Sequence, residues 1–166
     1  MRCGGVARSA HDRDAGRHGA WLELMKKTAA QALDLPIQRV HFKTRLRQSG
    51  LTQHEKQGEH SKRLEVREGG LTFLVNLDDY VDTGLFLDHR NTRQMVRQEA
   101  AGKRFLNLFA YTGSFTVYAA AGGATQTCTV DWSNTYLDWA RRNLEINQLG
   151  GSPHQFRRQN AVEFVS

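Results

Sequence analysis

Apolar and polar positions repeat with two different periods along this chain, and the change between them divides it. From Trp21 to Leu33 the apolar residues recur at helical spacing, with Trp21, Leu24, Met25, Thr28, Ala29 and Ala32 on one side. Asp34-Leu35-Pro36 ends that helix, because the residue before a proline is pushed out of the helical region. Between Arg39 and Arg47 the period falls to two. Val40, Phe42, Thr44 and Leu46 alternate with basic residues, which predicts a strand with one wet, cationic face. Gly58 to Ser61 reads as loop. Lys62–Glu68 and Leu71–Leu77 flank Gly69-Gly70, the pattern of a β-hairpin closed by a tight glycine turn.

Beyond Gly84 the pattern becomes strand and helix in alternation. Asp88 is a good N-cap for a helix from His89 to about Ala101, with Gly102 as its C-terminal stop. Phe105–Phe109 is a short apolar run of the kind buried in a parallel sheet, and Ala110–Gly113 a tight loop. Ser114–Ala121 reads as a helix with Phe115, Tyr118 and Ala119 on one face. Thr125–Val130 is a β-branched strand ending at Asp131, and a second helix runs from about Ser133 to Asn147. His154–Arg158 is a third strand and Ala161–Val165 the start of a third helix. This order predicts an α/β doubly wound sheet preceded by a small β-rich segment. Three strands cannot bury both faces of such a sheet, so the chain is expected to be the N-terminal part of a larger domain with an exposed apolar sheet edge. The organisation expected is a disordered N-terminus and short helix over residues 1–35, with disorder to about residue 20. A basic hairpin segment follows over 36–84, and the incomplete sheet over 85–166.

Composition changes this picture little. Of 166 residues, 39% are hydrophobic and 24% charged, as in an ordinary globular protein. No apolar run approaches the roughly 18 residues of a membrane helix, and the N-terminus lacks a secretory apolar core, so no membrane partner is expected. Cys3 and Cys128 form no CxxC pair, which leaves no zinc or redox motif and makes a reduced cytoplasmic setting the default. Charge says more. Pro36 to Arg63 holds seven basic residues against two acidic ones, five of the chain's net +6. Such concentration fits a phosphate-binding surface, with Lys43, Arg45, Arg47, Lys62 and Arg63 as candidate RNA contacts. It fits a solvated surface equally.

Ligands of open α/β sheets sit beyond the carboxyl ends of the strands. The first such end is Phe109-Ala110-Tyr111-Thr112-Gly113, where glycine lets the backbone approach a ligand. Asp131 lies 22 positions after Phe109, near the roughly 20-residue offset of a carboxylate that accepts hydrogen bonds from both ribose hydroxyls. Trp132 offers an apolar face to adenine, Asn160 a partner for the adenine amino group, and the Ala161 amide a partner for a ring nitrogen. The loop lacks GxGxxG, which counts against a pyrophosphate-binding oxidoreductase, but the spacing alone leaves methyltransferase, another nucleotide enzyme and plain scaffold open.

Longer motifs narrow the choice. Phe105-Leu106-Asn107-Leu108-Phe109-Ala110-Tyr111-Thr112-Gly113-Ser114 resembles the cofactor loop of bacterial rRNA methyltransferases, and Asp82-Thr83-Gly84-Leu85-Phe86-Leu87-Asp88-His89-Arg90 resembles the segment before it. Phe42-Lys43-Thr44-Arg45 and Phe73-Leu74-Val75-Asn76-Leu77 are similar to the guanine-N7 half of the bifunctional large-subunit rRNA methyltransferase K/L family. The resemblance covers about residues 40 to 166. It implies a Rossmann-like class I methyltransferase sheet using S-adenosylmethionine to modify a guanine of large-subunit rRNA, in a protein carrying a second methyltransferase domain. It further implies that Asn107, Phe109, Tyr111 and Gly113 shape the cofactor pocket, that Asp131 holds the ribose, and that Asp88 and Arg90 close over the methionine end. No catalytic residue and no metal is implied. Two departures stand out: the family usually has aspartate where this chain has Asn160, and its Asp-Pro-Pro motif is absent. The groups that grip the base are therefore expected elsewhere, and this chain alone is expected to be inactive. The rivals are a nucleotide-dependent oxidoreductase, a non-enzymatic RNA-binding module, and cytosine-C5 or guanine-N2 methyltransferases.

Overall fold

A computed structural model of the chain describes residues 15–41, 63–77, 80 and 82–166. Contacts divide the chain into two compact units, residues 1–45 and 46–166. In the first, helix α1 (Ala15–Ala32) is followed by a 3-10 turn, Ile37–Arg39. The helix starts earlier than the disorder expected to residue 20. Once nucleated over Trp21–Ala32, propagation carries it through Ala15, Arg17 and Ala20 despite Gly16 and Gly19, which each cost about 1 kcal/mol relative to alanine. Its more sheltered side is Leu22, Met25, Lys26, Ala29 and Ala30, rotated about one position from the expected stripe, with Trp21 and Leu24 exposed. Asp34 takes a left-handed φ of 51°, and the Leu35 amide closes the end on Ala30 O at 2.9 Å, a C-terminal cap that precedes Pro36. The 3-10 turn occupies the start of the strand expected over Arg39–Arg47. Residues 42–47, the loop at Gly58–Ser61 and Lys62 lie outside the described residues.

The second unit begins with the hairpin of β1 (Leu64–Glu68) and β2 (Leu71–Val75), antiparallel from Leu64↔Val75 to Glu68↔Leu71. Gly69 and Gly70 both have positive φ, 58° and 79°, the two-residue turn whose twist suits a hairpin. Leu71, Phe73 and Val75 alternate inward and pack with Leu85, Val117, Tyr118 and Leu144 in one hydrophobic core. The hairpin therefore shares its core with the segment after residue 84, and the boundary expected there is not a packing boundary.

The parallel sheet has the order β3 (Arg104–Leu108), β4 (Gln126–Asp131), β5 (His154–Arg158). Each strand leads into a helix: α3 (Ser114–Ala121), α4 (Asn134–Glu145) and α5 (Ala161–Val165). Among the described residues β3 and β5 are edges, and Leu106 on β3 is 45% exposed. Before the sheet, a 3-10 turn at Leu87–His89 delivers the chain into α2 (Arg90–Glu99). Asp88 is not the cap of that helix. The turn moves the start one residue on, so His89 holds the N-cap position without a side-chain bond and Asp88 sits inside the turn.

Helix α4 meets β2 through polar side chains. Trp139 Nε1 donates to Leu74 O (3.0 Å), while Asn143 Oδ1 accepts from Leu74 N (2.9 Å). The Asn147 amide both accepts from Thr72 N (2.8 Å) and donates to Thr72 O (2.7 Å). Trp139 and Asn143 thus both serve Leu74, and Asn147, in the turn just past α4, serves Thr72. Four residues at helical rise span about 6 Å and two of strand about 6.7 Å, which lets Asn143 and Asn147 meet Leu74 and Thr72.

At the hairpin's end Glu68 is a buried carboxylate, its side chain 3% exposed. Arg93, 1% exposed, approaches it from α2 with Nε and Nη2 at 2.9 and 3.0 Å, Tyr118 Oη donates from α3 at 3.0 Å, and Arg90 Nε reaches it at 3.2 Å. Removing one member of a buried pair strands the other's charge. Arg93→Ala is expected to cost about 3–5 kcal/mol in urea unfolding, and Glu68→Gln with Arg93→Met together less than the sum of the singles; additive losses would rule out coupling. A second expectation concerns pH. Burial lowers the His154 pKa below 6.5, and its Nδ1 lies 2.9 Å from Thr127 Oγ1. A depressed folded pKa means the neutral ring contributes stability above the unfolded pKa, which is lost as pH falls through the folded value. Melting temperature should fall below about pH 6.5, less steeply in His154→Gln; equal slopes would show that other groups govern the loss.

Candidate cofactor site

The site lies where β3 and β4 end. Phe109, Tyr111 and Gly113 take left-handed φ values of 52°, 51° and 71°, so every second residue of the loop turns the chain back on itself. Such conformations cost side-chain-bearing residues free energy and persist only when held. The Ala110 amide extends the sheet ladder to Val130 O (3.0 Å), and the Gly113 amide closes a turn on Ala110 O (2.9 Å). Gly113 is required twice over: by its φ, and because a Cβ there would come within 2.5 Å of Ala140 Cβ.

Asp131 holds the loop directly. Its Oδ2 accepts from the Tyr111 amide at 2.8 Å, and its Oδ1 from the Ser133 amide at 2.9 Å. The carboxylate expected for ribose is thus already an anchor for both loops, with one further lone pair on each oxygen for a ligand. Ser133 in turn caps α4, its Oγ accepting from Tyr136 N.

Phe109, Asp131, Trp132, Gln159, Asn160 and Ala161 line a pocket of about 310 Å³. Phe109 and Trp132 are 72% and 53% exposed, unusual for aromatic side chains and suited to covering by a flat ligand. The Arg158 guanidinium lies 6.0 Å from the Trp132 ring centre, and its Nε donates to Trp132 O. Asn160 caps α5, its Oδ1 accepting from Val162 N at 2.9 Å. Four expected residues, Phe109, Asp131, Trp132 and Asn160, therefore meet in one cavity.

A second cavity of about 450 Å³ continues past Phe109 and is lined by Asn107, Tyr111, Phe86, His89, Arg93 and Phe115, among others. Asn107 also supports the interior, Nδ2 donating to Thr116 Oγ1, which pairs with Thr129 Oγ1. Tyr111 packs among Phe86, Tyr136 and Trp139, and burial pushes its phenol pKa well up. Tyr136 is pushed up to about 12, first by burial and then by Asp82 and Asp131.

Other expectations fare differently. Asp88 and Arg90 line neither cavity: Asp88 is 76% exposed beside His89, and Arg90 turns to the Glu68 carboxylate. Phe86 and His89, from the same segment, take the cavity-facing places, because the 3-10 turn brings round residues that a helical period would have faced away. Gly113 shapes the loop without lining either of these two cavities. Arg63 lies 4.7 Å over the Trp139 ring, its pKa lowered first by burial and then by Arg142, so it is sheltered rather than presented to solvent. Lys43, Arg45, Arg47 and Lys62 lie outside the described residues.

A parallel sheet whose strand ends carry a tight glycine loop, an anchored carboxylate and two exposed aromatics defines a nucleoside-cofactor enzyme of the Rossmann-like class. Comparison places it more closely: the S-adenosylmethionine-dependent methyltransferase family matches residues 21–159, and the chain belongs to that family. It is 51% identical over 88% of its length to the ribosomal RNA large subunit methyltransferase K of Neisseria meningitidis serogroup B, covering 41% of that protein. With the ribosomal RNA large subunit methyltransferase K/L of Pseudomonas putida it shares 61% identity over 70% of this chain and 16% of that one. A methyltransferase structure complexed with S-adenosylhomocysteine superimposes with a TM-score of 0.60 at 35% identity, over 64% of this chain and 28% of that one. The chain thus spans less than half the length of these relatives.

Because Asp131 bonds two loop amides, Asp131→Ala should speed hydrogen exchange at Tyr111 and Ser133 while leaving the β1–β2 ladder protected. Unchanged exchange at both amides would show that the loop holds its shape without the carboxylate.

Proposed function

We propose that this chain is the cofactor-binding part of an enzyme that methylates a guanine, at N7, of bacterial large-subunit rRNA in the cytoplasm. The observation that carries the reading is the convergence of Phe109, Asp131, Trp132 and Asn160 on one pocket beyond the strand ends, in a chain half identical to rRNA methyltransferases.

The residues present fit the cofactor. Asp131 keeps free lone pairs for the ribose hydroxyls, Trp132 and Phe109 offer apolar surface to the base, and the second cavity beyond Phe109 is the place for the methionine end, with Asn107 and Tyr111 on its wall. When bound, S-adenosylmethionine supplies an electrophilic methyl group to the in-plane lone pair of guanine N7, an attack that needs no proton removed. The protein's part is then alignment and exclusion of water, and no side chain here is assigned as a general base. N7 is hidden in the deep major groove of an RNA helix, so the base has to be presented from a distorted or opened stem. In this reading the basic segment over residues 36–84 grips phosphates, through Lys43, Arg45, Arg47 and Lys62, and residues 85–166 carry the cofactor. Arg63, stacked on Trp139, links the two. In this reading the base-gripping residues and a second methyltransferase domain are parts of a longer protein to which this segment belongs.

Calorimetric titration with S-adenosylhomocysteine should give micromolar binding, weakened roughly tenfold in Asp131→Ala, the effect of about 1.4 kcal/mol from one charge-assisted contact. Absence of binding by both this chain and the full-length protein would end the methyltransferase reading. Salt-sensitive RNA binding without it would favour a plain RNA-binding module, and tight binding of NAD an oxidoreductase.

A further inference from the structure

Within the Phe109–Gly113 loop, Thr112 faces away from the ligand. It is fully buried and lines neither cavity, whereas its neighbours Ala110 and Tyr111 line the second. Its hydroxyl donates to Gly84 O at 2.5 Å, and its own carbonyl accepts from Asn143 Nδ2 at 2.9 Å. Both partners are themselves held. Asn143, buried on α4, also accepts from Leu74 N at 2.9 Å. Its carboxamide therefore joins an N–H of the hairpin to a C=O of the loop, and the opposite signs of the two bonds orient it. Gly84, at φ 105°, lies so close to α4 that a Cβ there would come within 2.5 Å of Trp139 Cζ2.

The Thr112 hydroxyl spans two segments that wall the second cavity. Gly84 stands shortly before Phe86 and Thr112 follows Tyr111, and the Phe86 and Tyr111 rings lie 5.4 Å apart in the lining. The loop's other ties, Ala110 to Val130 and Tyr111 to Asp131, run to β4, on the side of the first pocket, and neither reaches the Phe86 segment. Resting on the cofactor site proposed above, we propose that Thr112 is a positioning residue for the far end of the cofactor. Its hydroxyl, backed by Asn143, sets the spacing of Phe86 and Tyr111 and so the affinity for an amino-acid end, without touching the ligand. The first pocket, held by Asp131, does not depend on it.

S-adenosylhomocysteine and 5′-methylthioadenosine share base, ribose and sulfur, and only the former carries an amino-acid end. The test titrates both into the natural chain, Thr112→Val and Thr112→Ser, at a temperature where melting curves show each folded. Thr112→Val keeps the volume and removes the hydroxyl; Thr112→Ser keeps the hydroxyl. Thr112→Val should weaken S-adenosylhomocysteine by roughly fivefold or more, the scale of one hydrogen bond, and 5′-methylthioadenosine by less than about twofold. Thr112→Ser should bind both as the natural chain does. Lost packing alone would weaken the two ligands alike, so equal factors would overturn the proposal. Unchanged affinities in Thr112→Val would overturn it too, as would a Thr112→Ser that behaves as Thr112→Val. Should Thr112→Val not fold, Thr112→Ala makes the same comparison. If the natural chain binds neither ligand, the cofactor site itself falls and this reading with it. Binding by the natural chain with the wrong pattern in the variants removes this reading alone.

Discussion

A carboxylate with almost no access to water organises the larger unit. Glu68 ends the first hairpin strand, and burying its charge obliges the chain to bring cations and a hydroxyl to it from α2 and α3. Arg93, fixed by the ion pair, also donates to Phe86 O at 2.8 Å, and Phe86 packs 5.4 Å from Tyr111 on the cofactor loop. A contact path therefore runs from the hairpin through α2 to the residues that face a ligand. The hairpin is a wall of the cofactor domain as much as an approach to it.

Asp131 does at the site what Glu68 does in the interior, but with amides in place of cations. Two backbone N–H groups hold its charge, and in return it fixes a loop whose φ values would otherwise relax. In the function proposed above, ribose binding and loop shape are carried by one side chain. A ligand that adds its hydroxyls to the same oxygens completes a shell that is already half built, which lowers the ordering required on binding.

Much of this was legible in the residues. Most of the elements from Gly69 onward emerged from period and punctuation because their determinants are local: Gly69-Gly70 for the hairpin, an apolar run for β3 and β-branched residues for β4. The caps at Ser133 and Asn160 came only from the structure. The four residues of the pocket were legible because strand ends in a parallel sheet must converge. Long-range pairings were not. Nothing near Arg90 announces that Glu68, 22 residues away, needs it, and the 3-10 turn that brings Phe86 and His89 to the cavity in place of Asp88 has no signature at its own length. Arg63 was counted as free charge because a sum over a segment does not register an aromatic ring 76 residues downstream.

The match between α4 and β2 has a consequence for how the molecule keeps to itself. The backbone groups of Thr72 and Leu74 that point away from β1 would, if bare, be a template on which a strand of another molecule could assemble. Trp139, Asn143 and Asn147 stand in for that strand, their side-chain donors and acceptors meeting the N–H and C=O of both residues. An incoming chain would have to displace four satisfied bonds to occupy this flank. This flank of the hairpin is closed to sheet growth by a helix, and recruitment of foreign strands is confined to other edges.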